Sequence, residues 1–239
     1  MPLQFNLGAV YNQWVDFPAG AHLDITATIT LCCWLNATSW PSSYYCDYLS
    51  KNNFYMLRVD EDDEPQFTLK LSDSNWHSVN GVVPVLTNIW YHIAGTYDKN
   101  AAGNNQIVYL NAVAQDSYRE TLSILTDPTG TLSIGRNGEA LAGDNARYFH
   151  GLIDDARVYN RALSANEIKT IYYCAGTDAI VQGLVHRSLL NEKNDGATAS
   201  GARSRRRRSL GRRGAWATRW SRSESRSSER RRPRSGRRR

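Results

Sequence analysis

The sequence predicts an all-β fold, an antiparallel β-sandwich with one short C-terminal helix, followed by a basic tail expected to be disordered. Three observations carry this expectation. Residues 25–35 alternate closely in side-chain character, a succession of short runs rich in β-branched and aromatic residues follows, and helical periodicity is nearly absent.

In the alternating stretch, Ile25, Ala27, Ile29, Leu31, Cys33 and Leu35 fall on one side, and Thr26, Thr28, Thr30, Cys32 and Trp34 on the other. That is the period of a strand with one core face. Further strands are expected at residues 44–50, 54–59, 66–71, 90–97, 106–111, 132–134 and 152–159. Turn-forming residues separate them, at 50–53, 60–65, 98–105, 127–130 and Asn137-Gly138. Two antiparallel sheets sharing a core would bury Ile29, Leu31, Leu35, Ile93, Val108, Leu110, Ile134 and Val158. The one helix starts at Ser164, where Ser164-Ala165-Asn166-Glu167 has the spacing of a capping box and Ile168, Ile171 and Tyr172 share a face.

Charge divides the chain. Residues 201–239 hold 17 Arg, no Lys, and only Glu224 and Glu229, a net of 17 − 2 = +15, so the remainder carries 6 − 15 = −9. A pI set by the tail therefore says nothing of the folded body. The expected organisation is a sandwich over residues 1–176, a linker over 177–202 and an Arg-rich tail over 203–239. No apolar run approaches bilayer length, and the start Met1-Pro2-Leu3-Gln4-Phe5-Asn6 lacks the basic and apolar regions of a signal peptide. The four cysteines, Cys32, Cys33, Cys46 and Cys174, lack the paired spacing of a zinc site, and adjacent Cys32 and Cys33 point to opposite faces of their strand. They read as structural thiols, and one disulfide involving Cys46 would fit an oxidising compartment.

The segment Gly151-Leu152-Ile153-Asp154-Asp155-Ala156-Arg157-Val158-Tyr159-Asn160-Arg161-Ala162-Leu163-Ser164, running on into Glu167-Ile168, resembles the closing strand and helix of laminin-G-like jelly-roll domains of the concanavalin A-like lectin/glucanase superfamily. Residues 28–36 (TITLCCWLN) resemble the family's early strand with its Trp, and residues 88–98 (NIWYHIAGTYD) its central strand. The runs 107–111 and 132–135 fall where the family has strands, so the resemblance covers residues 5–175. One departure is Ala112, where the family has Gly after the Tyr109-Leu110-Asn111 run, which predicts a different turn there. The resemblance implies a non-catalytic module in an extracellular, cell-surface or virion-associated protein, recognising a glycan or a protein surface; a structural decoration domain is the rival role.

The resemblance also implies structural Ca²⁺ near the closing strand. Asp154 and Asp155, with Asp16 from an early strand, are the candidate ligands, supplying two or three of the six to eight oxygens required. The competing reading has one of the pair Asp154 and Asp155 capping a turn and the other pairing with Arg157 or Arg161. A glucanase of the same superfamily would need carboxylates spaced E-x-D-x-x-E. Here Glu61 and Asp63 are followed by Gln66, and Pro65 interrupts the ladder, so residues 60–64 read as a solvated hairpin loop and no catalytic residue is assigned.

The histidines, His22, His77, His92, His150 and His186, stand singly, with no metal or nucleophile motif around them, and His92 reads as a packed residue. Sugar-stacking aromatics would be drawn from Trp14, Trp40, Tyr44, Tyr45, Trp76 and Tyr148, about two of them solvent-facing, with the ligand-binding set otherwise open. The tail has two readings: a phosphate-gripping arm for nucleic acid, or sequence translated out of frame, since a surplus of Arg without Lys is what GC-rich DNA yields.

Overall fold

A computed structural model describes residues 3–5, 14–40, 45–51, 54–137 and 148–190, of which 3–5 by backbone alone. Two antiparallel sheets lie face to face. The first has the order β1 (Leu3–Phe5), β12 (His150–Tyr159), β3 (Thr28–Ser39), β8 (Trp90–Asp98), β9 (Gln106–Leu110), β10 (Val113–Tyr118), with β13 (Leu184–Ser188) also paired to β12. The second runs β2 (Val15–Phe17), β11 (Leu132–Ile134), β4 (Cys46–Lys51), β5 (Tyr55–Val59), β6 (Pro65–Lys70), β7 (Trp76–Asn80). The β-sandwich predicted from alternation is the fold, and all eight residues expected between the sheets lie in its core.

Cross-sheet packing explains the glycine in the central motif. A Cβ on Gly95 would lie 2.2 Å from the ring of Phe67, which reaches across from β6. The ring fills the space that any larger residue on β8 would need. The adjacent cysteines do face opposite ways: Cys33 joins the inter-sheet core, and Cys32 joins a second cluster on the outer side of the first sheet. All four cysteines are free thiols, and that of Cys46 donates to the Tyr148 carbonyl. Burial pushes the Cys32 thiol up to about 12.

The second cluster is covered by helix α1 (Ala165–Cys174), whose Ile168 and Ile171 pack on Cys32, Ala94, Tyr109 and Tyr159. Its N-terminus is the predicted capping box: the Ser164 hydroxyl accepts from the Glu167 N–H while the Glu167 carboxylate accepts from the Ser164 N–H at 2.9 Å. The chain does not leave the domain at residue 176 as expected from sequence. Residues 184–188 form β13 on the free edge of β12, and Leu190 is still buried. The polarity that reads as linker is that of a half-buried edge strand and of charges that meet a partner inside. The expected tail, residues 203–239, lies outside the described residues, as do the nucleic-acid and disorder readings attached to it.

The buried Arg157 fixes that extra strand. Its guanidinium is bidentate to Asp155 and to Asp178, and Asp155 also accepts from Arg187 of β13 at 2.7 Å. Burial alone would raise both aspartates, but the guanidinium hydrogen bonds hold them below the ordinary carboxylate value. Their contribution is therefore present above the unfolded carboxylate range and lost as pH falls through the folded values.

The hairpin between β9 and β10 keeps a two-residue turn despite the missing glycine. Asn111 and Ala112 both have positive φ, 50° and 63°, the mark of a type I′ turn, and Asn111 is held by its Oδ1 accepting from the His92 N–H. The strand register imposes this turn, and Ala112 bears its left-handed strain.

Two predictions follow from these contacts. Asp178→Asn is expected to cost about 3 kcal/mol in urea unfolding at neutral pH, because it strands half of a buried guanidinium, and the cost shrinks as pH falls below about 4. Ala112→Gly is expected to stabilise by about 0.5–1 kcal/mol in the same assay, since it removes the left-handed strain at that residue.

Candidate functional site

Of the two outer sheet faces, that of the first is sealed by α1 and by Ile180 and Leu184 of the segment beyond it. The outer face of the second sheet is built differently. Alternation sends Leu57, Phe67, Leu69 and Val79 inward, so the residues between them face out. In register across the strands these form a row Asp16, Ser133, Ser50, Met56, Thr68, Ser78, a second row Asp47, Arg58, Gln66, Asn80, and the pair Lys70, Trp76. The face is polar nearly throughout.

Its middle is a hydrogen-bonded floor. Arg58 lies over the Tyr45 ring at 3.8 Å and donates through Nε to Gln66 Oε1 at 2.5 Å. The Gln66 amide donates to Asn80, and Asn80 to Asp60, each at 2.9 Å. Thr68 donates to Gln66 Oε1 at 2.9 Å, and its hydroxyl also meets that of Ser78. Ser50, Gln66, Thr68 and Ser133 are buried. The connections 6–13, 41–44 and 138–147, which enter or leave β2, β4 and β11, lie outside the described residues.

The two edges of this face carry exposed indoles. Trp14, just before β2, is 40% exposed, and Trp76, on β7, is 44% exposed. Each has a cation over its ring, Arg136 at 4.3 Å and Lys70 at 5.6 Å. Asp16 organises the first edge: it accepts from Trp14 Nε1 at 3.0 Å, Ser133 Oγ at 2.7 Å and Arg136 Nη2 at 2.6 Å. Five strand spacings of ~4.8 Å put the two edge strands about 24 Å apart.

The three acids expected to hold calcium are not brought together. Asp16 stands on β2 of the second sheet, already paired with Arg136, whereas Asp154 and Asp155 stand on β12 of the first. Asp154 accepts the Asp155 N–H at 2.8 Å, and Asp155, at a φ of 50°, is held by Arg157 and Arg187. Of the competing reading, the pairing with Arg157 describes Asp155; Asp154 caps no turn but stands inside β12, where the register shifts. Among the described residues no group of three His, Cys, Asp or Glu is placed to hold a metal ion, so these side chains do not fit the calcium that the resemblance implied. Asp154→Asn is therefore expected to leave the melting temperature's response to EDTA and millimolar calcium as it is in the parent, because only a ligand of the native state raises it by mass action. Loss of a calcium-dependent rise in this variant would contradict this arrangement.

The acidic run does form the turn between β5 and β6, with Glu61 and Asp62 exposed. Asp60 is buried, however, accepting from the Asp62 and Glu64 N–H groups and from Asn80. Pro65 sits at the first position of β6, where a missing N–H is tolerated. His92 is packed as expected, beside Trp34 and Tyr172, and burial lowers it to about 4.

Among the six candidate aromatics, the indole of Trp40 donates to the Val85 carbonyl, Tyr148 is buried, Tyr45 stacks with Arg58, and Tyr44 is outside the described residues. The residues not singled out beforehand are Arg58, Gln66, Asn80 and Arg136. For the first three the signal was present, since residues 56–80 place a polar side chain at nearly every second strand position.

Two sheets, one sealed by a helix and the other bearing a polar outer face, define a jelly-roll β-sandwich. The chain belongs to the concanavalin A-like lectin/glucanases superfamily, whose laminin-G-type family model matches residues 8–169. Among curated proteins no match is found. Among solved structures, the fold is shared with a candidate carbohydrate-binding protein from Bacteroides ovatus ATCC 8483, at 19% identity and a TM-score of 0.59, covering 79% of this chain and 51% of that one. This chain thus spans about half the length of that protein. It is also shared with domain 4 of the extracellular arabinanase AbnA from Geobacillus stearothermophilus, in complex with arabinotriose, at 17% identity and a TM-score of 0.53, covering 67% and 73% of the two chains. A third is the CBM40 of the Ruminococcus gnavus IT-sialidase, bound to α2,3-sialyllactose, at 14% identity and a TM-score of 0.52, covering 67% and 97%. Among the described residues no helix is long and apolar enough to cross a membrane.

Proposed function

We propose that this sandwich is a non-catalytic carbohydrate-binding module that takes an oligosaccharide at the exposed rim of the outer face of its second sheet, over a floor that is itself buried. The observation that carries the reading is the polar face bracketed at its two edges by the exposed indoles of Trp14 and Trp76. A pyranose offers an apolar face to an indole and hydroxyls to polar groups beside it, so this pairing of surfaces suits a sugar chain. The sugar complexes of the arabinanase domain and of CBM40, which share the fold, support the same reading.

Hydrolysis would need two carboxylates facing one substrate, one poised as acid and one as base or nucleophile. On this face Asp16 is tied to Arg136, Asp60 is consumed by the β5–β6 turn, and Asp47 is fully buried. The chemistry left to the face is recognition, and an extracellular or cell-surface setting accords with it.

The test is a glycan array probed with the full chain, followed by calorimetry on each hit and on arabinotriose and α2,3-sialyllactose. Saturable binding is expected, and Trp14→Ala and Trp76→Ala should each weaken it about tenfold, near 1.4 kcal/mol, without lowering the melting temperature. If nothing binds saturably, or if both variants bind as the parent does, the reading is wrong. Self-assembly in the absence of sugar binding would favour a structural role instead.

A further inference from the structure

The largest concentration of exposed apolar side chains on the described surface is not on the face just described. Val82, Val83 and Leu86 are 65%, 46% and 57% exposed within five residues of one loop, whereas the other exposed large hydrophobics are spread over the surface. Single exposed apolar residues are ordinary, but a contiguous group marks a contact surface.

This loop is held firmly. The Gly81 N–H donates to the Pro65 carbonyl at 2.6 Å, the Val85 N–H to Asp63 at 2.8 Å, and the Asn88 N–H to Ala37 at 2.6 Å. Trp40 Nε1 donates to the Val85 carbonyl, and the Val85 side chain is buried. Val85 is thus the anchor, and its apolar neighbours hang outside the fold.

The bond from the Val85 N–H to Asp63 seats the loop against the turn of residues 60–64, five consecutive acids. None of the five forms an ion pair among the described residues. Burial, then the charges of Asp60 and Asp62, hold the Asp63 and Glu64 carboxyls above their ordinary value. The corner is a small apolar surface beside the exposed carboxylates of Glu61 and Asp62, which form no ion pair among the described residues.

We propose that this corner is a docking surface for a basic polypeptide segment that also carries aliphatic side chains. Its cations pair with Glu61 and Asp62, and its aliphatics cover Val82, Val83 and Leu86. Charge complementarity selects this occupant. An anionic membrane leaflet would be repelled by the acidic turn that any approach of the loop brings with it. A polar partner would leave the valines wet, and a purely apolar one would leave the acids facing it unpaired.

The test is fluorescence anisotropy of a labelled peptide of alternating Arg and Leu titrated with the full chain. Saturable binding is expected, weakened at least tenfold by Glu61→Gln/Asp62→Asn, by Val82→Ser/Val83→Ser/Leu86→Ser and by 0.5 M salt, and lost when Glu replaces Arg in the peptide. Trp76→Ala should leave it unchanged, which separates it from sugar binding. Absence of binding, or equal binding by both sets of variants, overturns the proposal. So does a lowered melting temperature of the serine variant, which would make the three side chains part of the fold. Capture of the wild type, but not the serine variant, on phosphatidylcholine vesicles would assign the loop to lipid.

Discussion

The constraint on which the structure turns is that β3 is buried on both faces. One face of this central strand supplies the inter-sheet core through Ile29, Leu31, Cys33 and Leu35; the other must be covered from outside. A polar group on that outer face must find a partner there, or its burial is costly. Thr30 meets this by a double bond to the chain returning from β12: its hydroxyl donates to the Arg161 carbonyl and accepts from the Leu163 N–H, each at 2.8 Å. Thr28 does the same once, donating to Asn160 at 2.9 Å. These contacts aim the chain so that Ser164 can open α1 over Cys32 and Ala94. The alternating threonines of β3 are therefore the reason that the closing helix lies where it does.

Sealing that face has a consequence for charge. Arg157 on β12 stands opposite Cys32 of β3, beneath the same cover, and is fully buried. A guanidinium survives there only if it is paired and hydrogen-bonded. Asp155 and Asp178 meet that need, and Arg187 then meets the remaining capacity of Asp155, so the chain beyond α1 is drawn back to form β13. The aspartates that resembled metal ligands are thereby used as counter-ions for a cation the fold has buried.

Much of this was legible in the sequence, and what was not has definite causes. The strands with one apolar face, such as β3 and β8, show their period directly, and the capping box at Ser164 needs only four residues to declare itself. β7 and β10 were missed because they are edge strands whose outward positions are polar or exposed, so alternation is weak in them. β13 was missed because all five of its residues are half-buried, which leaves no contrast between faces. For the site, the exposed indoles could be counted but not placed: whether a Trp faces solvent depends on what packs against it, as the burial of Tyr148 and the tethering of Trp40 show. That the three candidate calcium ligands are not brought together escaped the sequence for a related reason. Sequence lists carboxylates but not the guanidiniums that reach them from elsewhere in the chain, and Arg187 lies 32 residues beyond Asp155.

On the proposed reading, the floor and the rim of the second sheet divide the work of recognition between them. Gln66, Thr68, Ser78 and Asn80 spend their hydrogen bonds on one another, so they offer a ligand little that is not already used. Their effect is to fix the strands at one spacing and so fix the rim. At the rim, Asp16 locks Trp14 and Arg136 into one unit, while Lys70 backs Trp76 from the adjacent strand. Two aromatic contact points on edge strands about 24 Å apart, by the strand spacing, cannot both be met by one sugar ring. A chain that spans them gains its second contact as an intramolecular event, at the effective concentration its length sets. On the proposed reading, this geometry selects for oligosaccharide length before it selects for sugar identity.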